Sequence, residues 1–120
     1  MASINCDIIT PERAVFSGTC ESLTLPVFDG MIGVLPGHAP FVSELGIGLV
    51  TLTRHDETGL RTTERFAVRD GFVQVVENKV SVLAVQAVAS ADVTKVQPAD
   101  EGATADDRRW NDARRQLTQG

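Results

Sequence analysis

Cysteine and histidine are scarce in this sequence. Among 120 residues there are two cysteines, Cys6 and Cys20, and two histidines, His38 and His55. Two cysteines are too few for the disulfide framework of a small secreted protein, and these four residues lack the spacing of a zinc site. We therefore expect no metal site and two reduced thiols that pack as small apolar side chains.

Long apolar runs and an excess of positive charge are also absent. No run approaches the roughly 20 apolar residues of a membrane-spanning helix, and residues 1–7 have neither the basic cluster nor the apolar stretch of a signal peptide. The net charge of −5 argues against a surface for nucleic acid, which needs clustered basic residues. We expect a cytosolic protein that reaches a membrane only through a partner.

No motif for covalent catalysis or phosphate binding is present. Gly30, Gly33 and Gly37 do not form a dinucleotide fingerprint, because proline follows them and no βαβ unit surrounds them. As a general base, His38 would need a partner residue that the sequence does not identify. We favour a loop histidine that bonds backbone or contacts a partner. A free-standing enzyme or small-ligand-binding protein centred on His38 is the alternative hypothesis.

The residues that are present favour short strands. Through residue 89 the apolar residues recur with a period near two. Turn-forming residues separate the segments, and residues 72–77 and 80–87 form the clearest hairpin, around Asn78 and Lys79. About eight such segments at turn-marked intervals predict an antiparallel β-sandwich or flattened barrel. We assign this domain to residues 1–89.

Residues 90–120 differ in composition from the strands and form a second segment. Pro98 and Gly102 argue against a long helix through the first half, which we interpret as a linker. A short C-terminal helix is predicted over about residues 104–117.

The predicted helix has an N-cap and one apolar face. Thr104 is the N-cap candidate, and Trp110, Ala113 and Leu117 share a face at positions i, i+3 and i+7. A helix of this length is marginal alone in water. We therefore expect Trp110 and Leu117 to dock it on the sandwich or on a partner.

The most distinctive stretch is residues 29–40, which read Asp-Gly-Met-Ile-Gly-Val-Leu-Pro-Gly-His-Ala-Pro. From Gly30 onward it resembles the G-acid-apolar-G-apolar-(Leu/Tyr)-P-G-H-A-P signature of the epsilon subunit of F-type ATP synthases. Residues 3–18 are similar to that family's first two strands and their turn, and residues 70–84 to its closing hairpin. The resemblance runs in one order over about residues 3–89.

The resemblance implies a fold and a function. The family fold is a β-sandwich of about ten short strands followed by a hairpin of two helices. The implied function is that of a non-catalytic rotor subunit of the central stalk, which couples the gamma subunit to the c-ring during ion-driven ATP synthesis. One side of the sandwich then binds gamma, and one end faces the polar loops of the c-ring. Such a subunit is peripheral, at the cytoplasmic face of the inner (plasma) membrane.

The resemblance also implies contact residues. In the family, the loops that correspond to residues 29–31 and 36–40 lie at the c-ring end, so Asp29, Gly30, Met31 and His38 are candidates for c-ring contact. Met31 stands where the family usually has an acid. Charge pairing with a basic c-ring loop therefore falls to Asp29 or is replaced by apolar contact.

The C-terminal segment departs from the family pattern. Family members usually follow the sandwich with a helix that opens on a D-x-x-x-A-R-A-like segment, and some bind ATP with it. Here residues 92–98 take that place, Pro98 stops the helix, and the required arginine is not matched. We therefore expect a shortened helical part, no bound ATP or other cofactor, and at most weak regulation of ATP hydrolysis.

Overall fold

The computed structural model describes residues 3–28, 30–55, 57–89 and 105–118. Within these ranges the chain forms strands and a C-terminal helix. In chain order they are β1 (Ile4–Ile9), β2 (Ala14–Cys20), β3 (Ser22–Val27), β4 (Gly30–Val34), β5 (Phe41–Leu45), β6 (Gly48–His55), β7 (Arg61–Val76), β8 (Lys79–Ala89) and α1 (Ala105–Thr118). The predicted mainly β sandwich with a short helical tail is confirmed.

The strands follow from the alternation of apolar and polar residues. In β1, Ile4, Cys6 and Ile8 are fully buried, while the residues between them point outward. Because successive side chains of a strand lie on opposite faces, this pattern gives each strand one core face. Every strand contributes at least one buried apolar side chain to a single core between the layers.

The strands pair in the order β2-β1-β8-β7-β5-β3-β4, and β6 pairs with both β3 and β7. All pairs are antiparallel except β1 with β8, which run parallel. The sequence did not predict this parallel pair. It joins the first and last strands of the sandwich, which are distant in sequence, and no local sequence pattern indicates such a pairing. It brings the first strand into the centre of one layer.

Strand β7 crosses from one layer to the other. Its first half pairs with β6 and its second half with β5. The change occurs at Asp70 and Gly71, which have φ values of 56° and 150°. The sequence predicted a hairpin strand that begins at residue 72. The structure instead has one bent strand, because the two unusual backbone conformations turn the chain without ending the pairing.

Helix α1 lies on the outer face of the layer formed by β6 and the first half of β7. Trp110, Ala113 and Leu117 are buried there with Ala67. Three partly buried apolar side chains complete the contact: Ile47, Leu49 and Val88. The helix therefore buries the face that its i, i+3, i+7 pattern predicted.

The predicted linker, residues 90–104, lies outside the described residues, so the domain boundary after residue 89 stays a prediction. Across the described part of the chain, no helix combines the length and hydropathy that crossing a bilayer requires.

Candidate interaction surfaces

The loop of residues 36–40 is fastened to the β7–β8 turn. The backbone N–H of Gly37 donates to Oδ1 of Asn78 at 2.7 Å. Asn78 lies in that turn with φ 62°, a conformation that asparagine tolerates better than most residues. The carbonyl of Asn78 accepts a bond from the N–H of Asn5 at 2.8 Å. One residue thus ties together the loop, the closing hairpin and the start of β1.

His38 is oriented by its own neighbours. Its Nδ1 lies 2.7 Å from the carbonyl oxygen of Ala39, which can only accept, so Nδ1 carries the proton in this bond. Its ring centroid lies 5.3 Å from that of Phe41. Among the described residues no carboxylate hydrogen-bonds to His38. The acid that would orient a catalytic histidine is therefore not found in the described part of the structure.

The other predicted contact residues lie at the opposite end of β4. Met31 pairs with Pro26, and Gly30 pairs with Val27 at the tip of the β3–β4 hairpin. Met31 is 61% exposed, and Phe28, just before the tip, is 72% exposed. Asp29, also a predicted contact residue, lies outside the described residues.

The resemblance implied that the loops of residues 29–31 and 36–40 lie at one end of the sandwich. In the structure, strand β4 separates the β3–β4 hairpin tip from the loop of residues 36–40. From the hairpin tip the chain runs along β4 to Val34 before the loop of residues 36–40 begins. On the neighbouring strands, Leu45 pairs with Val27 and Gly71 near the tip, whereas Phe41 pairs with Val75 near His38. Leu45 and Phe41 are four residues apart along β5, which corresponds to roughly 13 Å in an extended strand. The two loops thus lie at different ends of β4, and their contact with the c-ring stays a prediction.

A larger surface was not predicted from the sequence. Six large apolar side chains point outward from the layer formed by β1, β5, the second half of β7 and β8; we call them the apolar outer face. They are Ile9, Val42, Phe72, Val76, Leu83 and Val85. Phe72 pairs with Leu83, and Leu83 with Ile9, so these three form a row across three strands.

The side chains of the apolar outer face are neighbours on adjacent strands and are not isolated apolar residues scattered over the surface. Phe72 is 56% exposed and Leu83 is 51% exposed, yet their strand neighbours Val73 and Val82 are fully buried. Both faces of these strands are therefore apolar, which is typical of strands covered on both sides. The signal in the sequence is the loss of alternation in residues 82–85, Val-Leu-Ala-Val.

A different outer surface, formed by β6 and the first half of β7, is covered by α1. The guanidinium carbons of Arg69 and Arg114 lie 5.8 and 5.5 Å from the centre of the Trp110 ring, within the range of cation–π attraction. Arg69 also pairs with Asp70 at 2.9 Å. In the described part of the chain, one outer face is thus covered by a helix and the other is open to solvent.

Among the described residues, the remaining titratable side chains do not assemble a chemical site. Nδ1 of His55 lies 2.7 Å from Oε1 of Glu21 at the surface. Both thiols are free and buried, and burial raises the pKa of Cys6 to about 12 and raises the pKa of Cys20 as well. Within the described ranges, no three His, Cys, Asp or Glu side chains group closely enough to hold a metal ion.

A family model matches this chain over residues 3–90. The family is described as "ATP synthase, Delta/Epsilon chain, beta-sandwich domain". The chain belongs to this family. The match ends where the strands end, so α1 lies beyond the part of the delta/epsilon chain that the family model covers.

Individual epsilon chains agree with this membership. The ATP synthase epsilon chain of Moorella thermoacetica is 41% identical over 93 residues, which is 78% of this chain and 66% of that protein. The epsilon chain of Symbiobacterium thermophilum is 39% identical over 108 residues, 88% of this chain and 74% of that one. The epsilon chain of Leptospira borgpetersenii is 31% identical over 109 residues, which is 81% of this chain and 82% of that protein. The resemblance to the epsilon family is thereby confirmed.

Two solved assemblies contain chains of the same fold. One is the mitochondrial ATP synthase of Euglena gracilis, described as OSCP/F1/c-ring, with a TM-score of 0.67 and 20% identity over 95% of this chain and 76% of that one. The other is the central stalk and c-ring of the Tetrahymena thermophila enzyme, with a TM-score of 0.62 and 12% identity over 97% and 91%. At these identities the likeness establishes the fold alone.

Proposed function

We propose that this protein is a non-catalytic subunit of the central stalk of an F-type ATP synthase. It couples the gamma subunit to the c-ring during ion-driven ATP synthesis and turns with them as part of the rotor. The match to the delta/epsilon sandwich over residues 3–90 carries this proposal. The protein needs no cofactor, metal or nucleic acid for this function, and it does not bind ATP.

The gamma subunit binds the apolar outer face. The family resemblance implies that one side of the sandwich meets gamma, and the side away from α1 is the one with exposed Phe72 and Leu83. Apolar patches of this kind commonly mark protein interfaces in soluble proteins. Burying apolar surface contributes about 25 cal/mol per Å², so large side chains in a row provide a substantial part of the binding free energy.

The c-ring contact is at the tip of the β3–β4 hairpin, with Asp29, Gly30 and Met31. His38 was carried over as a contact with the same partner, but it lies at the other end of β4. Its ring lies beside that of Phe41, the residue that precedes Val42 of the apolar outer face. We therefore assign His38 to the edge of the gamma contact.

The C-terminal segment stabilises the subunit and regulates it weakly at most. Residues 1–89 form the functional sandwich domain, and residues 90–120 are a linker and a docked helix. The burial of Trp110 and Leu117 supports this assignment, because an α1 held on the sandwich is not free to enter other subunits. The assembled complex is membrane-associated, and this subunit lies at the cytoplasmic face of the inner (plasma) membrane.

A charge on the apolar outer face tests the gamma contact. The double variant Phe72→Asp/Leu83→Asp places two carboxylates on exposed strand positions, so the fold is retained while gamma affinity falls about 100-fold or more. Binding to isolated gamma is measured by titration calorimetry. Thr63→Asp is the control, because Thr63 is exposed on β7 in the other layer. Equal affinity of the double variant and the control would place gamma elsewhere.

A further inference from the structure

The loop of residues 36–40 begins with a β-turn over residues 35–38. The N–H of His38 donates to the carbonyl oxygen of Leu35 at 3.1 Å. Gly37, at the third position of the turn, has a φ of 87°, which is typical of a type II turn. Pro36, at the second position, suits type I and type II turns alike, and glycine adopts either sign of φ. The residues of the turn therefore permit both types, and a contact from elsewhere in the molecule decides between them.

Types I and II differ in the direction of the peptide group between Pro36 and Gly37. This group is rotated by roughly 180° between the two types, so the N–H of Gly37 points to opposite sides of the turn. In the structure this N–H donates to Oδ1 of Asn78 at 2.7 Å, across 41 positions of the sequence. A type I turn would point the N–H away from Asn78, so this hydrogen bond stabilises the type II turn alone.

The backbone of Asn78 is itself held in place. Asn78 lies in the tight β7–β8 turn, next to the last pair of that hairpin, Val76 with Lys79. Its φ is 62°, and its carbonyl oxygen accepts a hydrogen bond from the N–H of Asn5 at 2.8 Å. The side chain of Asn78 therefore projects from a backbone that neighbouring strands fix, which is the arrangement that positions a functional group accurately.

The turn that Asn78 holds leads directly to the edge of the apolar outer face. Phe41 begins β5 and pairs with Val75, and Val42 of the apolar outer face follows Phe41. The ring centroid of His38 lies 5.3 Å from that of Phe41. Because Gly37 directly precedes His38, a change of turn type would redirect the chain at His38 and move its ring relative to the apolar outer face.

We propose that Asn78 is a positioning residue for the gamma contact. Its Oδ1 stabilises the type II turn of residues 35–38 and thereby holds His38 at the edge of the apolar outer face. This inference rests on the proposed function and adds a residue that acts on the gamma contact through the loop. One such hydrogen bond shifts an equilibrium by about threefold to tenfold, which sets the size of the expected effects.

The first measurement is amide hydrogen exchange of the isolated chain, followed residue by residue by NMR. The variant Asn78→Gly removes Oδ1 and keeps the positive φ, so the Gly37 amide is expected to exchange about threefold to tenfold faster. The Asn5 amide is expected to exchange as in wild type, because the backbone carbonyl of residue 78 remains. The variant Asn78→Asp is expected to restore slow exchange at Gly37, since its carboxylate also accepts and aspartate tolerates positive φ.

The second measurement is binding to isolated gamma by titration calorimetry. Asn78→Gly is expected to weaken binding about threefold to tenfold, and Asn78→Asp to bind within about twofold of wild type. The matched control is Thr62→Val, because it removes a side-chain hydrogen bond to the carbonyl of Arg54 in the other layer. This control is expected to bind gamma like wild type.

Three results would each overturn the inference. They are unchanged exchange of Gly37 in Asn78→Gly, faster exchange with unchanged gamma affinity, and an equal loss of affinity in Asn78→Asp and Asn78→Gly. A wild-type chain that does not bind gamma contradicts the proposed function itself. The exchange of Gly37 is measured without gamma, so the two failures are distinguishable.

Discussion

At the scale of the residue, Gly71 controls the path of β7. A Cβ on this residue would lie 1.8 Å from the carbonyl oxygen of Leu83, and its φ of 150° is rarely adopted by other residues. Its neighbour Asp70 also has positive φ. The backbone of β8 can approach only because residue 71 has no side chain, and this approach lets β7 pair with β6 and then with β5.

The variant Gly71→Ala is predicted to destabilise the fold by about 2–4 kcal/mol, since it adds a steric clash with backbone and strain in φ. The measurement is urea unfolding followed by circular dichroism. Gly33→Ala is the control, because nothing lies within 4 Å of a Cβ at that position. It should change the free energy of unfolding by less than about 1 kcal/mol. Similar values for the two variants would remove the structural role given to Gly71.

At the scale of the element, α1 is the part that local sequence signals describe best. Its apolar face follows from the spacing of Trp110, Ala113 and Leu117, and its observed bounds are close to the predicted ones. The strand β7 was predicted less well, because Asp70 and Gly71 look like a turn from sequence alone. Whether such a pair ends a strand or bends it depends on the strands on either side, which are distant in sequence.

The variant Leu117→Ala is predicted to loosen α1 without unfolding the sandwich. Leu117 is buried against the outer face of the sheet, and removing a buried leucine side chain costs about 2–4 kcal/mol, more than a short helix can lose and stay docked. Trp110 is the only tryptophan, so its fluorescence reports the release by a shift to longer wavelength. Gln116→Ala, at an exposed position of α1, is the control. An unshifted spectrum in Leu117→Ala would show that other contacts hold the helix.

At the scale of the whole molecule, the sandwich has distinct surfaces for distinct partners. One outer face is covered by α1, the other carries Phe72 and Leu83, and Met31 and His38 lie at opposite ends of β4. The family was predictable from the sequence, because several of its motifs occur in the same order along the chain and can be identified without a structure. The separation of Met31 from His38 and the row across three strands were not, because both depend on strand pairing.

The most direct test of the central claim is copurification of the ATP synthase through a tag on this chain. The account predicts that gamma and the c-ring copurify with the tagged protein in mild detergent, and that the Phe72→Asp/Leu83→Asp variant fails to retain gamma. Thr63→Asp should retain both partners. A wild-type chain that is well folded but recovered without gamma and the c-ring, under conditions that keep the rest of the complex intact, would contradict the account.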